Sequence, residues 1–206
     1  MKDRVAAIDR KTREVRVRGR LNLDGSGRSV VSTGIPFLDH MLELFAKHGL
    51  FDLELRARGD LEVDRHHTNE DLGLALGEAF RKAMGEKRGI RRIGSAFVPM
   101  DESLARVRSV VDLSGRPCLR WDWAAGRGQG WFRRGRGISY GVDDARHFLE
   151  SFVAESRLTL HADLLKADGD VHHLLEALFK ALGRSLREAV ERDPRVKGIP
   201  STKGRC

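Results

Sequence analysis

The sequence feature that most constrains the fold of this 206-residue chain is a histidine-rich motif that occurs twice. It occupies residues 66–70 and again residues 172–176, and in each copy a glutamate lies four positions after the first of two adjacent histidines. On a helix the first histidine and the glutamate share one face, whereas the second histidine points well away. Imidazole and carboxylate groups bind Mn²⁺, Fe²⁺ or Zn²⁺. The motif therefore predicts metal ligands that point in two directions.

Matches between the two halves extend beyond this motif. Residues 40–43 (HMLE) correspond to residues 147–150 (HFLE), and residues 16–18 (RVR) recur as residues 106–108. Self-similarity over such blocks indicates that one structural unit is built twice. The chain is therefore predicted to be an internal duplication.

The two sets of matches have different spacings, so the second half must contain extra residues. Most of them fall in the Gly/Arg-rich run at residues 124–137. We accordingly predict a first repeat unit at residues 1–88, a second unit at residues 89–187, and a C-terminal tail at residues 188–206.

Local patterns predict similar elements in both units. In the first unit they are strands 14–18, 29–33 and 51–58 and helices 36–47 and 68–84, with Gly49 as a cap of the first helix. In the second unit they are strands 104–113 and 157–163 and helices 143–156 and 172–191. Strands and helices that mix without strict alternation predict an α+β fold, in which each sheet is covered by helices on one face.

The repeat enlarges the set of candidate metal ligands, because a histidine near the start of a predicted helix precedes each motif at a similar distance. The eight candidates are His40, His66, His67, Glu70, His147, His172, His173 and Glu176. They divide naturally into two sites of three histidines and one glutamate, which leaves a six-coordinate Mn²⁺ ion two positions for substrate and water. We expect parts of different motifs, from neighbouring chains, to complete each site. The alternative is that these are structural histidines, duplicated passively with the fold.

Composition limits the class of protein. The chain is 40% hydrophobic and 33% charged, as in ordinary soluble proteins, and its two cysteines give no disulfide framework. The sequence contains no stretch of membrane-spanning length, and its N-terminus lacks the apolar core of a signal peptide. We therefore predict a cytoplasmic protein without a membrane partner.

The formal net charge of +8 favours anionic partners, either phosphate esters or nucleic acid. A second hypothesis is accordingly an RNA-binding module, for which the basic run at residues 127–136 and the enclosed Trp131 would be the contact segment. That hypothesis leaves the duplicated histidines and glutamates unexplained. We therefore expect a phosphorylated small molecule, and no nucleic acid, as the partner.

Four segments resemble the imidazoleglycerol-phosphate dehydratase family: residues 34–41 (GIPFLDHM), 66–71 (HHTNED), 112–117 (DLSGRP) and 199–204 (IPSTKG). The resemblance implies removal of water from imidazole glycerol phosphate, giving imidazole acetol phosphate in histidine biosynthesis. It also implies two Mn²⁺ ions per active site and two tandem copies of a ribosomal-S5-domain-2-like unit. The expected assembly is a homo-oligomer of twenty-four subunits with metal sites between chains.

The resemblance further implies roles for individual residues. Glu14 would be the catalytic general base, although without the resemblance it reads as an exposed strand carboxylate. The residues implied for the substrate phosphate are Arg92, Arg116, Lys180, Ser201 and Lys203, the last two from the C-terminal tail. The segment at residues 118–140 is longer and richer in arginine than the family pattern, and no role is predicted for it.

Overall fold

The structure is a computed structural model that describes residues 4–100, 106–123, 140–166 and 170–204. The elements of the first half are β1 (Val5–Lys11), β2 (Arg16–Asn22), β3 (Ser29–Ser32), α1 (Pro36–Gly49), β4 (Asp52–Arg58) and α2 (His66–Met84). Those of the second half are β5 (Ile93–Val98), β6 (Arg106–Asp112), β7 (Cys118–Asp122), α3 (Val142–Ser156), β8 (Thr159–Lys166) and α4 (Val171–Val190).

The two halves have the same topology. The strand order is β1-β2-β4-β3 in the first sheet and β5-β6-β8-β7 in the second. In each sheet the last pair is parallel and the other pairs are antiparallel, because α1 or α3 crosses over between the parallel strands. The predicted α+β fold and its internal duplication are therefore confirmed, element by element. The limits of the three predicted segments stay a prediction.

Local sequence explains most of the predicted elements. In β2, Val17 and Leu21 are buried while Arg18 and Arg20 are exposed, which is the alternation of a strand with one face on the core. Helix α4 begins where the Asp170 carboxylate accepts a hydrogen bond from the His172 backbone N–H (3.0 Å). The left-handed residue that ends α1 is Leu50, with φ 53°, rather than the predicted cap Gly49.

Three strands have no counterpart among the predicted elements: β1, β5 and β7. Each is an edge strand of its sheet. An edge strand needs fewer buried side chains than a central one, and β1 accordingly buries only Ala6 and Ile8. Strand β5 buries every second residue, but two of the three, Gly94 and Ala96, are small, and the short strand β7 has no fully buried side chain, so neither has a strong apolar alternation.

The helices of the two halves pack against each other, α1 on α4 and α2 on α3, so that they separate the two sheets. Matched glycines allow these pairs to approach closely. A Cβ added to Gly77 in α2 would lie 2.4 Å from the Phe152 carbonyl oxygen, and one added to Gly183 in α4 would lie 2.5 Å from that of Phe45. Both glycines occupy the same place relative to the histidine motif of their helix, so the two crossings are equivalent.

The end of the chain returns to the start of the second half. Gly89 donates a backbone hydrogen bond to the Gly198 carbonyl (2.9 Å) and accepts one from Asp193 (3.0 Å). These bonds place residues 198–204 beside the start of β5. Among the helices in the described ranges, none is both long and apolar enough to span a bilayer.

Candidate active site

The first group of candidate ligands, here called cluster 1, consists of His40, His172 and Glu176. His40 Nε2 lies 2.8 Å and His172 Nε2 lies 3.0 Å from the same oxygen, Glu176 Oε1. His172 and Glu176 are one helical turn apart on α4, whereas His40 comes from α1. One donor atom from each side chain lies within 4.8 Å of the other two, which is close enough for all three to bind one ion.

The second group, cluster 2, consists of His66, Glu70 and His147. His66 and Glu70 are one turn apart at the start of α2, and His147 comes from α3. The rings of His66 and His147 stack with their centroids 4.3 Å apart and their planes 16° apart. Cluster 2 meets the same 4.8 Å limit between donor atoms, and it is more exposed than cluster 1.

Both clusters are shared between the two halves of the chain. Cluster 1 combines the motif of the second half with the helix histidine of the first, and cluster 2 combines the motif of the first half with the helix histidine of the second. This crossed arrangement follows from the packing of α1 on α4 and of α2 on α3. The structure therefore brings six of the eight candidate ligands together, as two sets of two histidines and one glutamate.

The second histidine of each motif lies outside both clusters. His67 Nδ1 lies 2.9 Å from Asp60 Oδ2. His173 Nδ1 is buried and has no hydrogen-bond partner among the residues that the structure describes. Asp60 was not singled out from the sequence, because a lone aspartate in a loop carries no motif.

Lys180 stabilises the ionised form of Glu176 in cluster 1. Lys180 Nζ donates to Glu176 Oε2 (2.8 Å), on the side of the carboxylate opposite the two histidines. Burial alone would raise the pKa of Glu176, but the hydrogen bonds from Lys180, His40 and His172 outweigh it and lower the pKa to about 2. The carboxylate is therefore ionised at neutral pH, which is the form that binds a cation.

Glu14 lies in the turn between β1 and β2, two residues before the strand on which it was predicted. Its side chain is exposed and lines an open cleft of about 450 Å³ with Asp60. The hydrogen bond to Asp60 and the negative charges of Asp60, Asp64 and Glu14 raise the pKa of His67. Glu14 thus shares its cleft with Asp60, which is the partner of the second histidine of the motif.

A buried carboxylate fixes this turn to helix α2. Asp71, the residue after Glu70, accepts hydrogen bonds from Arg10 Nε (2.6 Å) and from the Thr12 hydroxyl (3.0 Å). The same hydroxyl accepts a hydrogen bond from the Val15 backbone N–H (2.9 Å). Thr12, Asp71 and Arg10 were missed in the sequence, since the link joins positions about sixty residues apart.

Comparison with known proteins identifies the family. The family model described as imidazoleglycerol-phosphate dehydratase matches residues 33–186. The protein of that name from Aromatoleum aromaticum is 52% identical over 202 residues, which is 98% of each chain. This chain belongs to the imidazoleglycerol-phosphate dehydratase family. Membership makes it a hydro-lyase of histidine biosynthesis, as the sequence predicts.

Other members of the imidazoleglycerol-phosphate dehydratase family agree in sequence and structure. The enzyme of Acidithiobacillus ferrooxidans is 49% identical over 205 residues, covering 99% of this chain and 98% of its own. The crystal structure of the Staphylococcus aureus enzyme superposes with a TM-score of 0.76 at 31% identity, covering 91% of this chain and 99% of that one. The crystal structure of the Pyrococcus furiosus enzyme in complex with (S)-C348 gives 0.78 at 31% identity, covering 96% and 99%.

The phosphate-binding residues implied by the resemblance to imidazoleglycerol-phosphate dehydratases fall in two places. Arg92 has φ 72° and donates to both carboxylate oxygens of Asp112 (2.7 and 3.0 Å) and to the Pro200 carbonyl (2.7 Å). Arg116 is exposed, with its guanidinium 4.0 Å from the same Asp112. The bond to Pro200 brings the C-terminal tail, with Ser201 and Lys203, close to Arg92. Within the tail, the Lys203 backbone N–H donates to the Ser201 hydroxyl (3.2 Å).

Lys180 lies elsewhere, beside cluster 1. The Arg92 backbone N–H donates to the Ala189 carbonyl, and Ala189 lies nine positions after Lys180 in α4, a distance of about 13 Å along the helix. Within one chain, Lys180 and Arg92 therefore lie in different places, and their shared role in phosphate binding stays a prediction.

The donor chemistry of both clusters fits a divalent ion of the kind expected for an imidazoleglycerol-phosphate dehydratase. Two imidazoles and one carboxylate within bonding reach of one point suit Mn²⁺, Fe²⁺ or Zn²⁺. His173, whose Nδ1 is buried without a partner among the described residues, belongs to neither cluster. The arginine-rich run at residues 127–136 lies outside the described residues.

Proposed function

We propose that this protein is a Mn²⁺-dependent enzyme that converts imidazole glycerol phosphate into imidazole acetol phosphate and water. The observation that supports this most directly is the pair of crossed clusters, each with two histidines and one glutamate taken from both halves of the chain. A structural role would not require two equivalent sets to converge. We expect the reaction to take place in the cytoplasm.

The clusters would hold the metal and thereby position the substrate. His40, His172 and Glu176 would bind one ion, and the three residues of cluster 2 would bind another. When bound, the metal supplies a Lewis acid that draws electron density from the substrate's imidazole ring. The ionised Glu176 supplies negative charge, and its bond to Lys180 holds the carboxylate in a fixed direction.

Glu14 is proposed as the general base. Loss of water requires one C–H bond and one C–O bond to break. The base takes the carbon-bound proton and the departing hydroxide takes up a proton, so that H⁺ and OH⁻ leave together as water and the remaining enol tautomerises to the ketone. Glu14 is exposed at a cleft and lies near His67, and its turn is held by Asp71. A carboxylate in such a place can reach a substrate that approaches from outside the chain.

Neighbouring subunits would complete each site in a homo-oligomer, for which we propose twenty-four copies. Each cluster has three donors, whereas the second histidines, His67 and His173, lie outside the clusters of their own chain. We propose that these histidines bind the ions of adjacent subunits. Because Glu14 shares its cleft with Asp60, the partner of His67, it would enter the same adjacent site.

The substrate phosphate would be bound where subunits meet. Arg92, Arg116, Ser201 and Lys203 form one basic group, and Lys180 lies about 13 Å from it along α4. In an oligomer, the basic group of one subunit can lie beside Lys180 and cluster 1 of its neighbour. The two hydrogen bonds to Asp112 hold the Arg92 guanidinium in one orientation.

The test is metal removal and restoration. Protein stripped with a chelator should lose turnover of imidazole glycerol phosphate, and added Mn²⁺ should restore it. Glu14→Gln should keep its metal content, measured by elemental analysis, and lose at least about 100-fold in kcat, as expected for loss of a general base.

The matched control is Glu62→Gln, which changes another carboxylate lining the cleft of Glu14 and should keep normal turnover. Full activity in the stripped protein would contradict the metal role. Salt-sensitive binding of RNA without turnover would instead favour a nucleic-acid-binding module.

A further inference from the structure

A buried tyrosine connects to cluster 2 through one hydrogen bond. The side chain of Tyr140 is 1% exposed, and its hydroxyl donates to Asn69 Oδ1 (2.9 Å). Asn69 is equally buried and lies in the first turn of α2, next to Glu70 and three residues after His66. The Tyr140 hydroxyl is therefore hydrogen-bonded to the helical turn that carries two residues of cluster 2.

The same asparagine ties α2 to α3. Asn69 Nδ2 donates to the backbone carbonyl of Asp144 (2.9 Å), and the Asp144 carboxylate accepts a hydrogen bond from Arg65 Nε (2.9 Å). These bonds join the first turns of the two helices whose histidines, His66 and His147, stack in cluster 2. Because both polar atoms of the Asn69 amide are paired, this network has one well-defined arrangement.

The other face of Tyr140 leads to cluster 1. Its ring stacks on Phe37, with centroids 5.7 Å apart and planes at 29°. Phe37 in turn contacts the ring of His172 edge-on, with centroids 5.2 Å apart. Phe37 also lies one helical turn before His40 on α1. Tyr140 thus lies between the two clusters and is linked to each by a short chain of contacts.

We propose that Tyr140 is a positioning residue that couples metal binding at the two clusters. This inference rests on the proposed metal role of both. An ion in cluster 1 fixes the ring of His172, which restricts Phe37 and then Tyr140. The tyrosine hydroxyl holds Asn69, and thereby the turn that carries His66 and Glu70. Occupation of cluster 1 therefore organises cluster 2 before its ion arrives, which raises the affinity of cluster 2.

The test is a thermodynamic cycle on metal-stripped, full-length protein. Tyr140→Phe keeps the stacked ring and removes only the hydroxyl, and His40→Ala disables cluster 1. Calorimetric titration with Mn²⁺ measures the affinity of cluster 2 in wild type, in each variant and in the double variant. Each single change should weaken that affinity by about 10- to 100-fold, as for other partners of metal ligands. The double variant should be no weaker than either single one.

Additive losses in the double variant, or an unchanged affinity in Tyr140→Phe, would overturn the coupling. Ser109→Ala is the matched control, because it removes another buried hydroxyl, 2.8 Å from that of Ser185, in the contact of β6 with α4. It should lower the melting temperature of the metal-free protein and leave Mn²⁺ affinity unchanged. If Tyr140→Phe behaves in the same way, its role is structural only and the proposal is wrong.

A second variant covers the case in which Tyr140→Phe does not fold. Adding Asn69→Leu replaces both partners of the Tyr140–Asn69 bond by apolar side chains, which should recover part of the stability because the Asn69 oxygen is no longer left unpaired, although the bond from Asn69 to the Asp144 carbonyl is lost as well. Coupling should still be absent from this double variant, and its presence would overturn the proposal. Failure of the wild type to bind Mn²⁺ would overturn the proposed function as well, whereas Mn²⁺-dependent turnover with additive affinities would overturn the coupling alone.

Discussion

Single hydrogen bonds decide where the proposed base lies. Glu14 is in an exposed turn, and exposed turns are ordinarily mobile. Here Asp71 accepts hydrogen bonds from Arg10 and Thr12, and the Thr12 hydroxyl also accepts one from the Val15 N–H. The residues on both sides of Glu14 are therefore attached to the helix that carries the histidine motif. Catalysis by a carboxylate depends on such placement as much as on its pKa.

Replacing Thr12 by valine should lower kcat without loss of metal. Valine has a similar shape but neither donates to Asp71 nor accepts from Val15, so the turn that carries Glu14 loses its own bond to α2 and keeps only the backbone bond from Thr12 to Val15 and the nearby pair of Arg10 with Asp71. A displacement of about 1 Å costs up to about 100-fold in rate, and we expect a loss of about 10- to 100-fold. Steady-state kinetics with imidazole glycerol phosphate, combined with elemental analysis of bound Mn²⁺, would measure both effects.

Thr12→Ser provides the matched variant, because it keeps the hydroxyl and both hydrogen bonds. It should retain most of the activity. A serine variant as impaired as the valine variant would contradict the role assigned to the Thr12 hydroxyl.

At the scale of elements, two helix crossings determine which ligands meet. Gly77 and Gly183 occupy equivalent positions, and each allows a helix of the other half to approach its backbone. The motif at the start of the same helix then lies opposite the helix histidine of the other half. The separation of the helices, and hence the size of each cluster, depends on these two glycines.

Gly183→Ala should destabilise the protein, although alanine favours a helix by about 1 kcal/mol relative to glycine. The added Cβ would lie 2.5 Å from the Phe45 carbonyl oxygen and 2.9 Å from the Gly49 backbone nitrogen. Both contacts are with backbone, so the helices must move apart. Overpacking of this kind costs about 1–3 kcal/mol, which exceeds the gain in propensity. Denaturant unfolding monitored by circular dichroism would measure the difference.

Arg184→Ala is the control for this prediction. Arg184 is the next residue of α4 and is exposed, so its replacement should change the free energy of unfolding by less than about 0.5 kcal/mol. A Gly183→Ala variant as stable as the wild type would contradict the role assigned to this crossing.

The fold was largely predictable from the sequence because its central elements have strong patterns. Helix α4 has a histidine motif, a capping aspartate and a continuous apolar face, and it was predicted within about one residue at each end. The edge strands β1, β5 and β7 were missed. In β7, for example, no side chain is fully buried, and only Leu119 and Trp121 pack partly against the core, which is too short an alternation for a prediction to rest on.

The candidate site was predictable as a set of residues but not as an arrangement. His40 and His147 were found because the repeat places them at matched positions. That His40 joins the motif of the opposite half depends on the packing of α1 on α4, which no local pattern encodes. Asp71 and Tyr140 were missed because each acts through a partner about sixty to seventy positions away. Such partnerships exist only in the folded chain.

At the scale of the whole molecule, the proposed assembly implies that one chain alone carries incomplete sites. Each cluster offers three donors, and His67 and His173 belong to neither. The proposed assembly joins these two sets at contacts between subunits. Activity should then belong to the oligomer and not to the single chain.

Two inactive variants should restore activity when they are mixed. His67→Ala/His173→Ala keeps both clusters but lacks the second histidines, and His40→Ala/His147→Ala has the opposite defect. When equal amounts are dissociated and reassembled together, about a quarter of the sites combine an intact cluster with intact second histidines, if each site has two contributors. Turnover of imidazole glycerol phosphate should recover to about that fraction of the wild-type rate.

The controls are each variant taken through dissociation and reassembly alone, which should stay inactive. A mixture that also stays inactive, although mass spectrometry shows mixed oligomers, would mean that subunits do not share sites.

The crossed clusters also bear on how such a chain could arise. Each half contributes a histidine to the cluster of the other half's motif. A half-length ancestor could therefore have formed a complete cluster only as a homodimer. Fusion of two such genes would have turned this intermolecular contact into an intramolecular one. Separately expressed halves that reassemble should accordingly recreate both ligand sets.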